Sequence, residues 1–124
     1  MSIRRAIPNL LSDDLDASQD FYEGLLGFRL AMDEAGFKLF ASPSTPTTQV
    51  IVTGRSGFAQ DPGLPRAQMS VEVADVDAVH AEAQRRGLDV VYPLTDEPWG
   101  IRRFFVRDPD GTVVNVTSHV DPPG

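Results

Sequence analysis

Phe104-Phe105-Val106-Arg107-Asp108-Pro109-Asp110-Gly111-Thr112-Val113-Val114-Asn115-Val116 holds two strand-forming runs around one turn. Phe104-Phe105-Val106 and Val113-Val114 are aromatic and β-branched, residue types that suit a pleated, half-buried surface. Between them, Asp108-Pro109-Asp110-Gly111 is turn chemistry: proline presets one dihedral and glycine accepts a positive one. Just upstream, Glu97-Pro98-Trp99-Gly100 reads as a loop that carries the only tryptophan of the chain, and Arg102-Arg103 follow it.

Working outward, the same order of elements occurs twice. A first strand over 3–11, with Pro8 marking an edge or irregular position, leads to Asp13-Asp14 as a helix cap. A helix over 16–26 follows, with Ser18, Phe21, Tyr22 and Leu25 on one face at spacings of three and four. Phe21, Tyr22 and Phe28 are read as core, because the helix must bury a face. Gly27 stops the helix. Strands over 28–32, 37–41 and 49–53 come next. Gly54, Gly57, Pro62, Gly63 and Pro65 mark 55–66 as a linker. The second half repeats the pattern. It has a strand over 67–73, the cap Asp75, a helix over 76–86 stopped by Gly87, a strand over 88–92, and then the opening loop and hairpin.

Each half is strand, helix and three strands, and the residues repeat as well as the elements. Asp14-Leu15-Asp16-Ala17 matches Asp75-Val76-Asp77-Ala78, Gly27 matches Gly87, and Ile51-Val52-Thr53-Gly54 matches Asn115-Val116-Thr117-Ser118. Features repeated in one order point to an internal duplication. The expected architecture is one α+β domain, with module one about 4–54 and module two about 67–119.

The bulk composition excludes several classes. The 124 residues suffice for a single domain with one core. A net charge of −7 argues against a nucleic-acid footprint, which needs a basic face. There is no cysteine, so thiolate zinc sites and cysteine nucleophiles are ruled out. No apolar run approaches the roughly 20 residues of a membrane span, and no secretory h-region follows Met1. A cytoplasmic protein is the expectation.

Asp14-Leu15, Ser18, Phe21-Tyr22, Leu26-Gly27-Phe28 and the distal Asp108-Pro109-Asp110-Gly111, in this order and on a duplicated frame, resemble the vicinal oxygen chelate superfamily. That is the group of glyoxalases, bleomycin-resistance proteins and extradiol dioxygenases. The resemblance covers roughly residues 4 to 119. It implies two tandem βαβββ modules forming an open, barrel-like mixed sheet around a cavity, with helices outside, and often a homodimer.

Enzymes of that superfamily hold a divalent ion with histidine and glutamate from equivalent strands. Seven residues back from Asp14 and from Asp75, and four past Gly111, the corresponding positions here are Ile7, Gln68 and Asn115, and the repeat maps Asn115 onto Ile51. Two of these are hydrocarbon and two are neutral amides. Transition ions need imidazole, thiolate or carboxylate. His80 lies inside the second helix and is read as a solvated surface residue. His119 lies in the tail, four residues past Asn115. No metal and no cofactor are therefore expected.

Without the metal, the resemblance implies the bleomycin-resistance-like branch: a metal-independent binder of an aromatic or cationic small molecule, an antibiotic among the candidates, in an apolar groove with a few polar contacts. The candidate ligand-binding residues are Trp99, Phe104, Asn115, Gln68, Arg102, Phe37 and Phe40, with Phe58 in the linker. Phe37 and Phe40 have opposite parity, so only one faces the groove. Phe104 and Phe105 divide likewise: a two-residue turn puts Phe104 opposite Asn115 and a three-residue turn puts Phe105 there. The two-residue turn is preferred. Trp99 is either a lid or wall over the pocket or a packing or dimer-interface residue. Arg102 and Arg103 lie on opposite faces. The alternative is a lyase, isomerase or dioxygenase of the same superfamily, either metal-dependent or metal-free.

Overall fold

The computed structural model describes residues 2–55 and 65–120. Phe58 and the centre of the linker lie outside them. The elements follow the expected order. They are β1 (Ile3–Ser12), α1 (Leu15–Gln19) continuing into a π-helical segment (Asp20–Leu25), β2 (Arg29–Glu34), β3 (Phe37–Ala41) and β4 (Gln49–Gly54). Then come β5 (Met69–Val73), α2 (Val76–Arg85), β6 (Val90–Glu97), β7 (Ile101–Arg107) and β8 (Val113–His119).

The chain divides into two compact units, Ile7–Leu64 and Met1–Ala6 with Pro65–Gly124. In the first, the strand order is β2-β3-β4-β1, and in the second β5-β8-β7-β6. β1–β4 and β5–β8 are parallel pairs, and β2–β3, β3–β4, β6–β7 and β7–β8 are antiparallel, so the sheet is mixed. β2 and β6, with a hydrogen-bonded neighbour on one side only, are each an edge strand of their own unit. Pro8, with no N–H to donate, sits just before Asn9–Ser12, the stretch of β1 that pairs with β4.

The duplication is visible in the caps. Asp14 and Asp75 both hold extended backbone before their helices. Asp14 Oδ1 accepts from the amides of Asp16 and Ala17 at 3.1 Å, and Asp75 Oδ1 accepts from Ala78 at 3.1 Å. Gly27 and Gly87, at φ 85° and 68°, end the two helical segments in the left-handed region.

Each unit buries one side of its strands under its helix. In the first, Phe40, Val50 and Val52 pack with Leu15, Tyr22, Phe28 and Leu30. Tyr22 stacks on Phe40 at 5.5 Å. Phe21, expected in the core, is 49% exposed and only edges onto Tyr22 at 5.1 Å. The widened π-helical turn shifts the helix phase, so that Tyr22, half-buried, is the one that packs on the core. In the second unit, Phe104, Val73, Val76, Ala83 and Val116 form the core. His80 is half-buried rather than solvated, with its ring edge-on to Phe104 at 4.9 Å.

Ser118 ties the second unit together. Its buried hydroxyl donates to Val73 O at 2.8 Å and accepts from Val76 N at 3.0 Å, joining β8 to the end of β5 and the start of α2. Ser118→Ala leaves both backbone groups unmet in a buried place. It is expected to cost about 1–3 kcal/mol in urea-unfolding free energy.

Candidate functional site

The turn at 108–112 sets which side chains share a face. Asp108 Oδ1 accepts from the amides of Asp110 and Thr112, both at 2.9 Å. Gly111 takes φ 89°. The loop is therefore longer than a two-residue turn, and the register pairs Phe105 with Asn115 and Phe104 with Val116. Directly paired residues point to the same side. Phe104, expected to face the ligand, instead lies fully buried under α2. Phe105 takes the place opposite Asn115.

The same parity assigns the two arginines. Arg102 sits on the helix side. Its Nη2 meets Asp77 Oδ1 at 2.8 Å and its Nη1 meets Asp96 Oδ1 at 3.0 Å. The hydrogen bond from Arg102 holds the Asp77 carboxyl below the usual carboxylate range, and the bonds to Asp77 and then Asp96 push the guanidinium further up. Arg102 is thus occupied as a helix-to-strand brace. Phe40 is likewise fully buried under the first helix, whereas Phe37 is half-buried on the other side of β3, paired with Thr53.

What gathers around Asn115 is a grid on one side of the second unit's strands. One row runs Ser70, Asn115, Phe105, Tyr92, and the next runs Glu72, Thr117, Arg103, Thr95. Arg103 is its centre. The guanidinium carbon lies 5.0 Å from the Phe105 ring centroid, 5.3 Å from Trp99 and 5.5 Å from Tyr92, within range of cation–π attraction. Its side chain is 17% exposed. Its ion-pair contact is Glu97 Oε2 at 3.5 Å, and Nε is buried without a hydrogen-bond partner among the described residues. The other Glu97 oxygen accepts the Tyr92 hydroxyl at 2.6 Å.

Asn115 Oδ1 and Thr117 Oγ1, on the same face, are buried without a hydrogen-bond partner among the described residues. Asn115 Nδ2 donates to Ser70 Oγ at 3.1 Å. Next to Thr117, Glu72 accepts from Arg5 Nε at 2.5 Å and lies 3.3 Å from His119 Nδ1. Trp99, 59% exposed, occupies the tight turn between β6 and β7, where the Gly100 amide donates to Glu97 O at 3.2 Å.

Gln68 is engaged elsewhere: its Oε1 accepts from the Val113 amide at 2.8 Å. With Ile7 and Ile51 offering only hydrocarbon, Gln68 Oε1 already used and Asn115 a neutral amide, the donor set does not fit a divalent ion. A cavity of about 440 Å³ lies in the first unit, lined by Asp13, Asp14, Asp16 and Arg55 among others. It touches none of the sequence-predicted residues, and its carboxylates are explained by helix capping and by the 2.5 Å Arg55–Asp13 pair.

Tyr92, Glu97 and Thr117 were not singled out in the sequence, and Arg103 only as the residue on the face opposite Arg102. The available signal was the turn length: once Phe105 faces Asn115, the period of two puts Arg103 on the same side.

The model of the Glyoxalase/Bleomycin resistance protein/Dioxygenase superfamily matches residues 6–116, and the chain belongs to that superfamily. No curated protein sequence matches it. Among solved structures, it is similar to a glyoxalase/bleomycin resistance protein/dioxygenase superfamily member from Vibrio splendidus 12B01. That match has TM-score 0.69 and 17% identity, over 94% of this chain and 99% of the other. It is also similar to methylmalonyl-CoA epimerase from Mycobacterium tuberculosis, with TM-score 0.70 and 21% identity over 94% and 87%. A third match is a structure described as NAD-dependent benzaldehyde dehydrogenase from Legionella pneumophila, with TM-score 0.69 and 17% identity over 92% and 98%. At these identities the likeness is one of fold.

Proposed function

We propose that this protein binds a small organic molecule, without a metal, on the strand face centred on Arg103. One observation carries the reading: a mostly buried guanidinium is packed among three aromatic rings yet, among the described residues, has one long ion pair and an unpartnered Nε. Desolvating a cation is costly unless hydrogen bonds repay it. Such under-used donors, on an aromatic-walled face with a few polar groups, are what an orienting ligand site requires. Trp99 stands beside Arg103 and makes the site self-reporting.

Titrating natural products and metabolites while following Trp99 emission tests this. At least one compound is expected to give a saturable change in Trp99 emission, abolished in Arg103→Met and unaffected by EDTA. A flat response across the library, confirmed by calorimetry, contradicts the reading.

A second reading, a metal-free enzyme on the same face, is favoured by the Glu72–His119 contact. A carboxylate at Nδ1 orients an imidazole so that Nε2 is available for proton transfer. Under that reading, His119→Ala removes turnover and leaves binding in place.

A further inference from the structure

We infer that the ligand of the Arg103 face is an organic monoanion. It carries one carboxylate next to a hydroxyl or N–H donor, on a planar apolar body. The inference rests on the small-molecule reading above and names its chemical class.

The rings of Tyr92, Trp99 and Phe105 fix where the guanidinium sits, and leave its N–H edge as the part that recognises. A planar carboxylate is the group that meets two such N–H donors side by side. Glu97 does not fill that role. Its contact of 3.5 Å exceeds the roughly 2.7–2.9 Å of a charge-assisted hydrogen bond, and its other oxygen is held by Tyr92.

Charge selects among ligands. The strands of this face carry Arg5, Arg103 and Arg107 with the carboxylates Glu72 and Glu97; Arg5 is paired to Glu72 and Arg107 to Asp89. A cationic ligand would meet Arg103 directly. A dianion would bring a second negative charge beside Glu72 and Glu97. A single carboxylate answers Arg103 alone. Asn115 Oδ1 is buried and accepts no hydrogen bond from the described residues, so a ligand O–H or N–H that reaches it satisfies an otherwise unmet acceptor. The exposed ring of Trp99 supplies the stacking surface for a planar body.

The test is calorimetry on the full chain with matched series built on one-, two- and three-ring aromatics. Each scaffold is taken as the ortho-hydroxy carboxylate, the ortho-hydroxy carboxamide, the aminomethyl analogue and the aryl phosphate. The carboxylate of at least one scaffold is expected to bind at least about tenfold tighter than its three analogues. Arg103→Lys, which keeps the charge and loses the fork, is expected to erase that preference. Asn115→Asp is expected to weaken the carboxylate selectively while sparing the carboxamide.

A carboxamide, amine or phosphate that binds as tightly as the carboxylate overturns the monoanion assignment and leaves the binding reading standing. So does a carboxylate preference that survives both substitutions. No binding by any member, together with a flat Trp99 response to the wider library, overturns both.

Discussion

Arg103→Met is expected to weaken ligand binding by about 100-fold or more, some 2.7 kcal/mol, the range of a hydrogen bond to a charged group. Methionine keeps an unbranched stem against Tyr92, Trp99 and Phe105 and removes every donor. The stability effect is separable. Removing Arg103 leaves the Glu97 carboxylate, whose side chain is 8% exposed, with the Tyr92 hydroxyl as its remaining partner, and an uncompensated buried charge is destabilising. The double variant Arg103→Met/Glu97→Gln removes that charge and is expected to unfold within about 1 kcal/mol of the parent while still failing to bind. Calorimetry with the best ligand, alongside urea unfolding, measures both. Unchanged affinity in a folded Arg103→Met protein would show that the face is not the site.

Phe104→Ala is expected to do the reverse. Phe104 is fully buried among Val73, Val76, Ala83 and Val116, with His80 against its edge. Truncating such a phenylalanine costs about 3–5 kcal/mol, the transfer loss plus the cavity left behind. That is a large part of the roughly 5–15 kcal/mol that holds a domain together. The remaining folded protein is expected to bind ligand with unchanged affinity, because Phe104 points under α2 and not towards Asn115. Urea unfolding followed by titration under folding conditions checks both halves. A mild loss of stability with a large loss of binding would restore Phe104 to the site.

These two residues mark where the sequence was legible. The element order, the Asp14 and Asp75 caps and the Gly27 and Gly87 stops could all be read locally, because each is decided by a few neighbouring residues. Membership of the superfamily followed from the same short motifs. Side assignment on strands was harder, since a one-residue change in a turn flips every side chain beyond it. Asp108, whose side chain takes two backbone amides, lengthens the turn by a bond that composition does not announce. That displaced Phe104 in favour of Phe105 and Arg102 in favour of Arg103. Phe21 was misplaced for a related reason: a π-helical turn breaks the spacing of three and four on which the helix face was built.

The polar grid was illegible for another reason. Asn115, Thr117, Arg103 and Glu72 come from three strands, and strand pairing across long separations leaves no local trace. By contrast, the mismatch of Ile7, Ile51, Gln68 and Asn115 with any metal-ligand set is a matter of residue type, which the sequence states directly.

The most direct measurement is a crystal structure of the protein with its tightest ligand, grown from metal-supplemented solution. The ligand is predicted to lie against Trp99 with an oxygen about 3 Å from the Arg103 guanidinium and no ion between ligand and Asn115. A ligand bound away from Arg103, or held through a divalent ion, would contradict the account.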